Sequence, residues 1–298
     1  MKNKLFLIAA VCAAVIGGTT SCSPSDEHTY KLVIAGMTDT AERRESVDFT
    51  NPYFRSDLVL VVQKSDDFDS DHIYTAEELG TILNGKVLVS QLGTETDRML
   101  DIFVEKFNAI HANPVDSFTT AALQVSSGIA FAFTAEKPVA QSYINGNQDT
   151  LMMMQIEENI LSANDYAALS VSIGLAKGNE DFISSVNDVL DGITNDERNE
   201  LMETMVDFNF YKNEPTDNIR RKYTGKNGTI KVGLECNYPS FNWTSFTQNN
   251  YTYPIAGKAA EYAEGYDIEI AYRIAVALDM TLEVYKMEWD ALLIWANQ

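Results

Sequence analysis

The chain has 298 residues, which at roughly 150 residues a domain is enough for about two domains. Hydrophobic residues make up 45% and charged residues 22%, with 16 glycines and 7 prolines, a composition that excludes collagen-like, coiled-coil and disordered chains. The 22 Lys and Arg residues against 43 Asp and Glu give a formal net charge of -21, which argues against nucleic acid or an anionic bilayer surface as a partner.

The first 21 residues have the pattern of an export signal. Lys2 and Lys4 precede an uninterrupted apolar run over 5–16, and small residues follow the run up to Ser21. Because a bilayer-spanning helix needs about 20 apolar residues, the run is too short for a permanent transmembrane helix. We therefore predict that 1–21 is a signal peptide and that the protein is exported.

Cys22 follows the small residues at the distance seen in a bacterial lipobox, in which the thiol is acylated after cleavage. We predict a lipidated Cys22, a tether at 22–27 and anchoring at the cell envelope, in the periplasm or on the outer face of the cytoplasmic membrane. Thr19 stands where Leu, Val or Ile is usual, so plain cleavage is the alternative. Cleavage removes Cys12 and lipidation leaves Cys236 as a free thiol, which excludes a disulfide framework.

Apolar periodicity alternates between strand and helix along the rest of the chain. Strands are predicted at 31–36, 58–62, 86–90, 115–118, 129–133 and 151–156, followed by an extended stretch at 166–175. Helices are predicted at 95–110, 180–193 and 196–208, and a linker without apolar periodicity at 211–228. The pattern restarts with strands at 229–234 and 281–285 and helices at 266–278 and 289–296. This alternation predicts α/β layers with parallel sheets, whose ligands bind beyond the carboxyl ends of the strands.

Seven short motifs resemble those of one protein family. They are AGMTDTAER at 35–43, VDFTNPY at 47–53, QLGT at 91–94, EKPVA at 136–140, GLECNYPSFNW at 233–243, GYDIEIA at 265–271 and WDALL at 289–293. Together they closely resemble the extracellular solute-binding proteins of family 3, the amino-acid receptors of ABC importers. The resemblance implies a bilobal α/β fold of the type II periplasmic-binding-protein class, with two α/β lobes joined by a two-strand hinge.

The order of the motifs departs from the family, because the stretch that resembles its beginning, from 229 onward, comes last. We therefore predict a circularly permuted segment order, and a rearranged or truncated tandem gene is the alternative. Lobe 1 is expected to comprise 28–61, 171–210 and 229–298, and lobe 2 to comprise 62–170, with a linker at 211–228. The lobe crossings are expected near 58–62 and 168–175.

The resemblance assigns the groups that would hold an amino-acid zwitterion. Arg43 stands where the family has its carboxylate-binding arginine, whose planar guanidinium donates two parallel N–H bonds that a lysine cannot copy. Thr94 at a predicted helix start is expected to add a hydroxyl and a backbone N–H. Glu136, in the place of the family's acidic residue before x-Pro, is predicted to bind the α-ammonium with the Gly36 carbonyl and the Thr38 hydroxyl.

Recognition of the ligand side chain is expected from the last part of the chain. Glu235 resembles the family acid that faces the ligand side chain, while Tyr238 and Trp289 would clamp its stem and attract a cation. Gln91 would line the opposite wall, and Phe131 replaces a second acid that relatives often carry. This set favours a polar or cationic amino acid and leaves Arg, Lys, His and Gln as alternatives.

The sequence lacks the motifs of common enzyme and metal sites. It has no Gly-rich phosphate loop, Cys pair or HExxH motif, so we expect no catalytic residues, metal or cofactor. The expected function is a monomeric binding protein that delivers its amino acid to an ABC transporter permease. Two alternatives stay open: a dehydratase on the same fold with Glu235 or Glu136 as general acid or base, and a sensor or degenerate lipoprotein that has lost transport.

Overall fold

The computed structural model describes residues 28–211, 219–220 and 222–298, so the predicted signal peptide, Cys22 and the tether lie outside the described residues. The strands are β1 (Thr29–Val33), β2 (Val47–Phe49), β3 (Phe54–Arg55), β4 (Leu58–Gln63), β5 (Ile73–Tyr74), β6 (Val87–Val89), β7 (Ile110–His111), β8 (Ala132–Glu136), β9 (Leu151–Ile156), β10 (Ser170–Val171), β11 (Gly174–Ala176), β12 (Thr229–Leu234), β13 (Asn237–Tyr238), β14 (Asn242–Ser245), β15 (Tyr253–Pro254), β16 (Tyr262–Glu264) and β17 (Thr281–Lys286). The helices are α1 (Ala76–Ile82), α2 (Glu95–Arg98), α3 (Leu100–Phe107), α4 (Phe118–Ser126), α5 (Lys137–Asn145), α6 (Ala163–Ala167), α7 (Glu180–Asp191), α8 (Asn195–Tyr211), α9 (Tyr266–Ala277) and α10 (Leu292–Ala296), with 3-10 turns at Arg43–Glu45, Glu158–Ile160 and Trp289–Ala291.

Lobe 1 is built on a five-stranded sheet in the order β17-β12-β1-β11-β2. Strand β12 pairs parallel with β1 in continuous register from Thr229 opposite Thr29 to Gly233 opposite Val33. On its other side β12 pairs parallel with β17, and α10 packs against β1, β11 and β12. Residues from both ends of the described chain therefore form one sheet and one core.

Lobe 2 is built on a six-stranded sheet in the order β5-β9-β4-β8-β6-β7. Its central strand β4 runs antiparallel to both β8 and β9, while β6 runs parallel to β7 and β8. In lobe 1, β11 likewise runs antiparallel to β1 and β2. The prediction of parallel sheets therefore holds only in part, because both sheets are mixed. A continuous apolar run indicates burial on both faces of a strand and not the direction of its neighbours.

The two lobes are joined by two antiparallel strands, since β3 pairs with β10. The predicted division at 61/62 lies too late, because the whole of β4 from Leu58 belongs to the sheet of lobe 2. Leu58, Leu60 and Val62 enter the core cluster that lies within lobe 2. An apolar pattern of that kind does not distinguish a core strand from a hinge strand. The stretch 166–175 is likewise not one strand, because α6 ends at Ala167, a turn follows it, and Ser172 and Ile173 separate β10 from β11.

Two predicted elements in lobe 2 differ in type or length. The stretch 115–118 is not a strand: Val115 forms an isolated bridge to Gln91, and Ser117 caps helix α4, which begins at Phe118. The predicted helix at 95–110 is two helices, α2 and α3, that meet at Met99. Both Met99 and Leu100 are buried.

The described residues of the predicted linker pack against lobe 1. Arg220 forms a bidentate ion pair with Glu269 of α9, with N–O distances of 2.5 and 3.0 Å. The Tyr223 hydroxyl donates to Asp279 Oδ1 at 3.1 Å, and the Asn227 N–H donates to the Asp279 carbonyl at 2.9 Å. Within the described ranges, no helix is both long and apolar enough to cross a bilayer.

Candidate functional site

A small cavity lies between the lobes where the chain leaves β1, β6, β8 and β12. We call it the central cavity; its lining residues are Ala35, Gly36, Thr38, Arg43, Gln91, Thr94, Glu95, Phe118, Glu136, Glu235, Tyr238 and Trp289. All nine residues that the sequence analysis assigns to ligand binding are among them. The cavity measures about 20 Å³, room for little more than one water molecule, so the lobes are closed on each other.

Gly36 follows β1 in a conformation with φ of +61°, which favours glycine. A Cβ atom at this position would lie 2.5 Å from Cε1 of Tyr238, so the close approach of the ring also requires glycine. The Gly36 N–H donates to the Tyr53 hydroxyl at 3.0 Å, and that hydroxyl donates to Asp267 Oδ1 at 2.7 Å. Burial raises the pKa of Asp267 to about 7, against hydrogen bonds from Tyr53 and Asn242 that lower it.

Arg43 spans the cleft from lobe 1. Its Nη1 donates to the Thr38 carbonyl at 2.8 Å and its Nη2 to the Gly93 carbonyl, in lobe 2, at 3.0 Å. The guanidinium carbon lies 5.5 Å from the centre of the Trp289 ring, within range of a cation–π interaction. Burial lowers the pKa of Arg43 while Glu95 and Glu42 act in the opposite direction, and a guanidinium keeps its charge at neutral pH.

Glu136 ends β8 in lobe 2 and is 7% exposed. Its Oε2 accepts a hydrogen bond of 2.5 Å from the Tyr238 hydroxyl of lobe 1. Burial raises the pKa of Glu136, and the bond from Tyr238 opposes that shift. The Tyr238 ring lies between Phe241, at 5.1 Å with an interplanar angle of 7°, and Phe118, at 5.4 Å.

Glu235 follows β12 on the lobe 1 side of the cavity. Its Oε1 accepts a hydrogen bond of 3.3 Å from Gln91 Nε2, so this contact also joins the two lobes. Burial raises the pKa of Glu235 to about 7; the bond from Gln91 opposes the shift, and the charges of Glu288 and Asp290 add to it. The carboxyl group therefore changes its charge near neutral pH.

Two of the expected donors already have partners inside the protein. The Thr94 hydroxyl donates to the Gln91 carbonyl at 2.7 Å and accepts from the Asp97 N–H at 3.1 Å, which caps α2. The Thr38 hydroxyl donates to the Ala168 carbonyl at 3.0 Å. Both residues line the central cavity, but in this closed arrangement their hydroxyl groups donate to backbone carbonyls of the protein.

Sequence reasoning missed three lining residues, namely Ala35, Glu95 and Phe118. Ala35 opens the motif at 35–43 and Glu95 directly follows the motif at 91–94, so adjacency to Gly36 and Thr94 is the signal that could have found them. Phe118 was taken as the end of a strand, although Ser117 followed by apolar residues at helical spacing is a recognisable helix start. Across the part of the chain that the structure describes, no group of three or more His, Cys, Asp or Glu side chains is arranged to hold a metal ion.

Comparison with known proteins identifies relatives of this chain. The family model for bacterial extracellular solute-binding proteins, family 3, matches residues 22–207, more than half of the chain. A protein of Escherichia coli (strain K12) described as arginine-binding protein 2 of an ABC transporter is 24% identical over 166 residues, which are 56% of this chain and 61% of that protein. The L-cystine-binding protein TcyJ of the same strain is 24% identical over 165 residues, 55% of each chain. The chain thus spans less than two thirds of the curated relatives it matches.

Solved structures give matches of similar extent. The amino acid ABC transporter substrate-binding protein AbpA from Streptococcus pneumoniae, bound to L-arginine, is 20% identical with a TM-score of 0.48, over 60% of this chain and 69% of AbpA. Holo ArgBP from T. maritima is 30% identical with a TM-score of 0.42, over 58% of this chain and 68% of ArgBP.

Proposed function

The chain belongs to family 3 of the bacterial extracellular solute-binding proteins, and on this premise we propose that it binds a polar or cationic amino acid between its lobes. Binding without turnover is the proposed activity, as in a family of binding proteins. The nine residues proposed to contact the ligand are Gly36, Thr38, Arg43, Gln91, Thr94, Glu136, Glu235, Tyr238 and Trp289.

One observation carries the proposal: opposite charges line the same cavity, and each is bonded to a neutral partner. Arg43 donates to two backbone carbonyls, at 2.8 and 3.0 Å, and Glu136 accepts from the Tyr238 hydroxyl at 2.5 Å. A zwitterion offers a carboxylate to the guanidinium and an ammonium to the carboxylate, and both exchanges replace a neutral partner by a charged one. Each exchange turns a bond with one charged group into a bond between opposite charges, and a bidentate arginine–carboxylate pair is among the strongest hydrogen-bonded pairs in proteins.

Ligand entry requires the lobes to separate, because the central cavity of about 20 Å³ is smaller than any amino acid. The antiparallel pair of β3 and β10 is the proposed hinge. Opening breaks the bonds of Arg43 to Gly93, Gln91 to Glu235 and Tyr238 to Glu136, all of which join lobe 1 to lobe 2. The ligand then replaces these contacts on closure, and its differential affinity for the closed form shifts the equilibrium.

The proposed preference for a polar or cationic side chain rests on Glu235. Its carboxyl group and the Gln91 amide lie on the wall of the cavity and bond each other at 3.3 Å. Arg, Lys, His and Gln side chains each offer donors to that carboxyl group, and a cationic one adds charge. Trp289 and Tyr238 supply aromatic faces beside it.

The remaining proposals concern the setting of this binding protein. We propose that residues 229–298, which supply Glu235, Tyr238 and Trp289, occupy the place of the family's first segment, so that the segment order is circularly permuted. The parallel pairing of β12 with β1 supports this proposal. We further propose a lipid anchor at Cys22 and delivery of the amino acid by the monomer to an ABC permease.

A thermal-shift screen of the twenty amino acids tests the proposed function. A ligand at 100 times its Kd adds about 2.7 kcal/mol of stability, which is well resolved. Arg43→Ala is expected to weaken binding by about 2–5 kcal/mol, because a buried charge loses its partner. Arg44→Ala is the matched control, since Arg44 pairs with Asp39 on the surface and is expected to leave affinity unchanged. Equal binding by the parent and Arg43→Ala would refute the proposal.

A further inference from the structure

A second, larger cavity continues the cleft beyond Glu235. We call it the outer cavity; it measures about 830 Å³, within the range of about 300–1,000 Å³ that is usual for ligand pockets. Glu235 lines both the central and the outer cavity, so this residue lies at the boundary between them. Gln91, which bonds that carboxyl group at 3.3 Å, belongs to the central cavity only.

Both lobes contribute walls to the outer cavity. Thr119 and Tyr143 of lobe 2 form one wall, and their hydroxyl groups lie 3.0 Å apart. Trp243 of β14 and Phe246, just beyond the end of that strand, belong to the facing wall of lobe 1. A ligand that reached this space would therefore contact the same two bodies that close over the central cavity.

The lining of the outer cavity is aromatic and acidic. Phe246 is 75% exposed, an unusual position for a phenylalanine, and Trp243, three positions before it, is partly buried. Three glutamates line the space, of which Glu264 is already bonded through both oxygens, by Trp243 Nε1 at 3.0 Å and by Asn249 Nδ2 at 2.6 Å. The carboxyl groups of Glu235 and the exposed Glu288 are thus the acids that face a ligand.

The one lysine among the lining residues does not reverse this charge. Lys286 Nζ donates to the Thr244 hydroxyl at 2.8 Å and lies 3.6 Å from Glu261 Oε2, so its ammonium group is already paired. Aromatic faces beside carboxylates such as those of Glu235 and Glu288 are the groups that attract alkylammonium and guanidinium ions. The outer cavity is therefore complementary to a cation and not to an anion.

We propose that the side chain of the bound amino acid passes Glu235 into the outer cavity, so that the protein accepts α-amino acids with a bulkier cationic terminus than that of free lysine. This inference rests on the proposed function, because the amino-acid head must first be held by Arg43 and Glu136. It adds a second compartment to the site and names its ligand chemistry: a substituted ammonium or guanidinium group on a long side chain.

Three related ligands test the inference by calorimetry with the intact protein at pH 8, where Glu235 is ionised. L-Lysine is the reference, Nε-trimethyl-L-lysine carries a larger permanent cation, and Nε-acetyl-L-lysine carries a larger neutral group. We expect trimethyl-lysine to bind no more than fivefold more weakly than lysine, and acetyl-lysine to bind at least tenfold more weakly than trimethyl-lysine. A Kd for trimethyl-lysine more than fivefold higher than that for lysine would mean that the pocket ends at Glu235 and would overturn the inference.

Two variants connect the result to the outer cavity. Phe246→Ala is expected to weaken trimethyl-lysine binding at least threefold more than lysine binding. Ile129→Ala removes a comparably exposed apolar side chain, 69% exposed, from outside both cavities and is expected to change neither affinity. An equal effect of Phe246→Ala on both ligands, or equal affinities for acetyl- and trimethyl-lysine, would contradict the proposed cation compartment. Failure of every amino acid to bind would instead refute the proposed function.

Discussion

The Tyr238 hydroxyl donates a 2.5 Å hydrogen bond to Oε2 of Glu136, and the bond joins lobe 1 to lobe 2 at the centre of the cleft. In the proposed function the α-ammonium of the ligand takes the same carboxylate. The hydroxyl therefore stabilises the closed protein in the absence of ligand and competes with the ligand for Glu136. Removal of this hydroxyl group is therefore expected to strengthen ligand binding, whereas removal of a group that contacts the ligand would weaken it.

Tyr238→Phe is accordingly predicted to destabilise the free protein and to strengthen amino-acid binding. Loss of the hydroxyl leaves a buried carboxyl group without this donor, which costs about 1–3 kcal/mol in the free closed form. The ligand-bound form loses less, so the Kd is expected to fall by about tenfold, equivalent to about 1.4 kcal/mol. Urea unfolding and calorimetry measure the two effects. A higher Kd would indicate that the hydroxyl contacts the ligand instead.

Gly36→Ala is predicted to destabilise the protein and to weaken ligand binding together. The new methyl group would lie 2.5 Å from the Tyr238 ring, and overpacking of this kind costs about 1–3 kcal/mol. Gly85→Ala is the matched control, because Gly85 also has a positive φ, +70°, but has no atom within 4 Å of the added methyl group. The difference between the two variants in urea unfolding isolates the contact with Tyr238. Equal stabilities would contradict the close packing.

The affinity for lysine or arginine is predicted to rise with pH between about 6 and 8. Burial raises the pKa of Glu235 to about 7, so its carboxyl group gains a negative charge over this interval and then attracts the ligand cation. Burial also raises the pKa of Glu136, which acts in the same direction. Glu235→Gln separates the effects of the two glutamates: it is expected to weaken binding at pH 8 and to reduce the change of affinity with pH. Calorimetry at several pH values measures this change. An unchanged pH dependence in the variant would show that the charge of Glu235 does not cause it.

His111 is predicted to stabilise lobe 2 at acidic pH. Partial burial lowers its pKa, but hydrogen bonds to Asp101 and Asp97, both 2.9 Å long, outweigh this and raise the pKa above 6.5. The stabilising contribution is therefore complete below pH 6.5 and is lost as the pH rises through the folded-state pKa. His111→Gln is expected to lower the free energy of unfolding at pH 5.5 and to have a smaller effect at pH 8. Equal losses at both values would contradict the assignment.

Much of the candidate site followed from sequence because its residues lie at the ends of buried strands. Glu136 ends β8 and Glu235 follows β12, positions at which an α/β sheet presents ligand-binding groups. The resemblance of short motifs supplied the roles proposed for Arg43 and Trp289. All of them line the central cavity, although their contact with a ligand stays a prediction.

Other features of the structure could not be predicted from local sequence patterns. The direction of β4 against β8 and β9 depends on which strands meet, and the same apolar run suits either direction. The lobe boundary before Leu58 was misplaced for the same reason. Phe118 was missed because its stretch was read with strand periodicity, whereas the Ser117 cap starts a helix there.

The sequence alone yields most of the longer strands and helices, the resemblance to the family and nine of the twelve residues that line the central cavity, because these depend on local periodicity and on short motifs. Only the tertiary structure decided which groups meet across the cleft. Tyr238 and Glu136 are 102 positions apart in the chain, and Gln91 and Glu235 are 144 apart, so their bonds exist only when two lobes close. The outer cavity likewise arises from the shape of the space between two packed bodies, which no segment of the chain encodes alone.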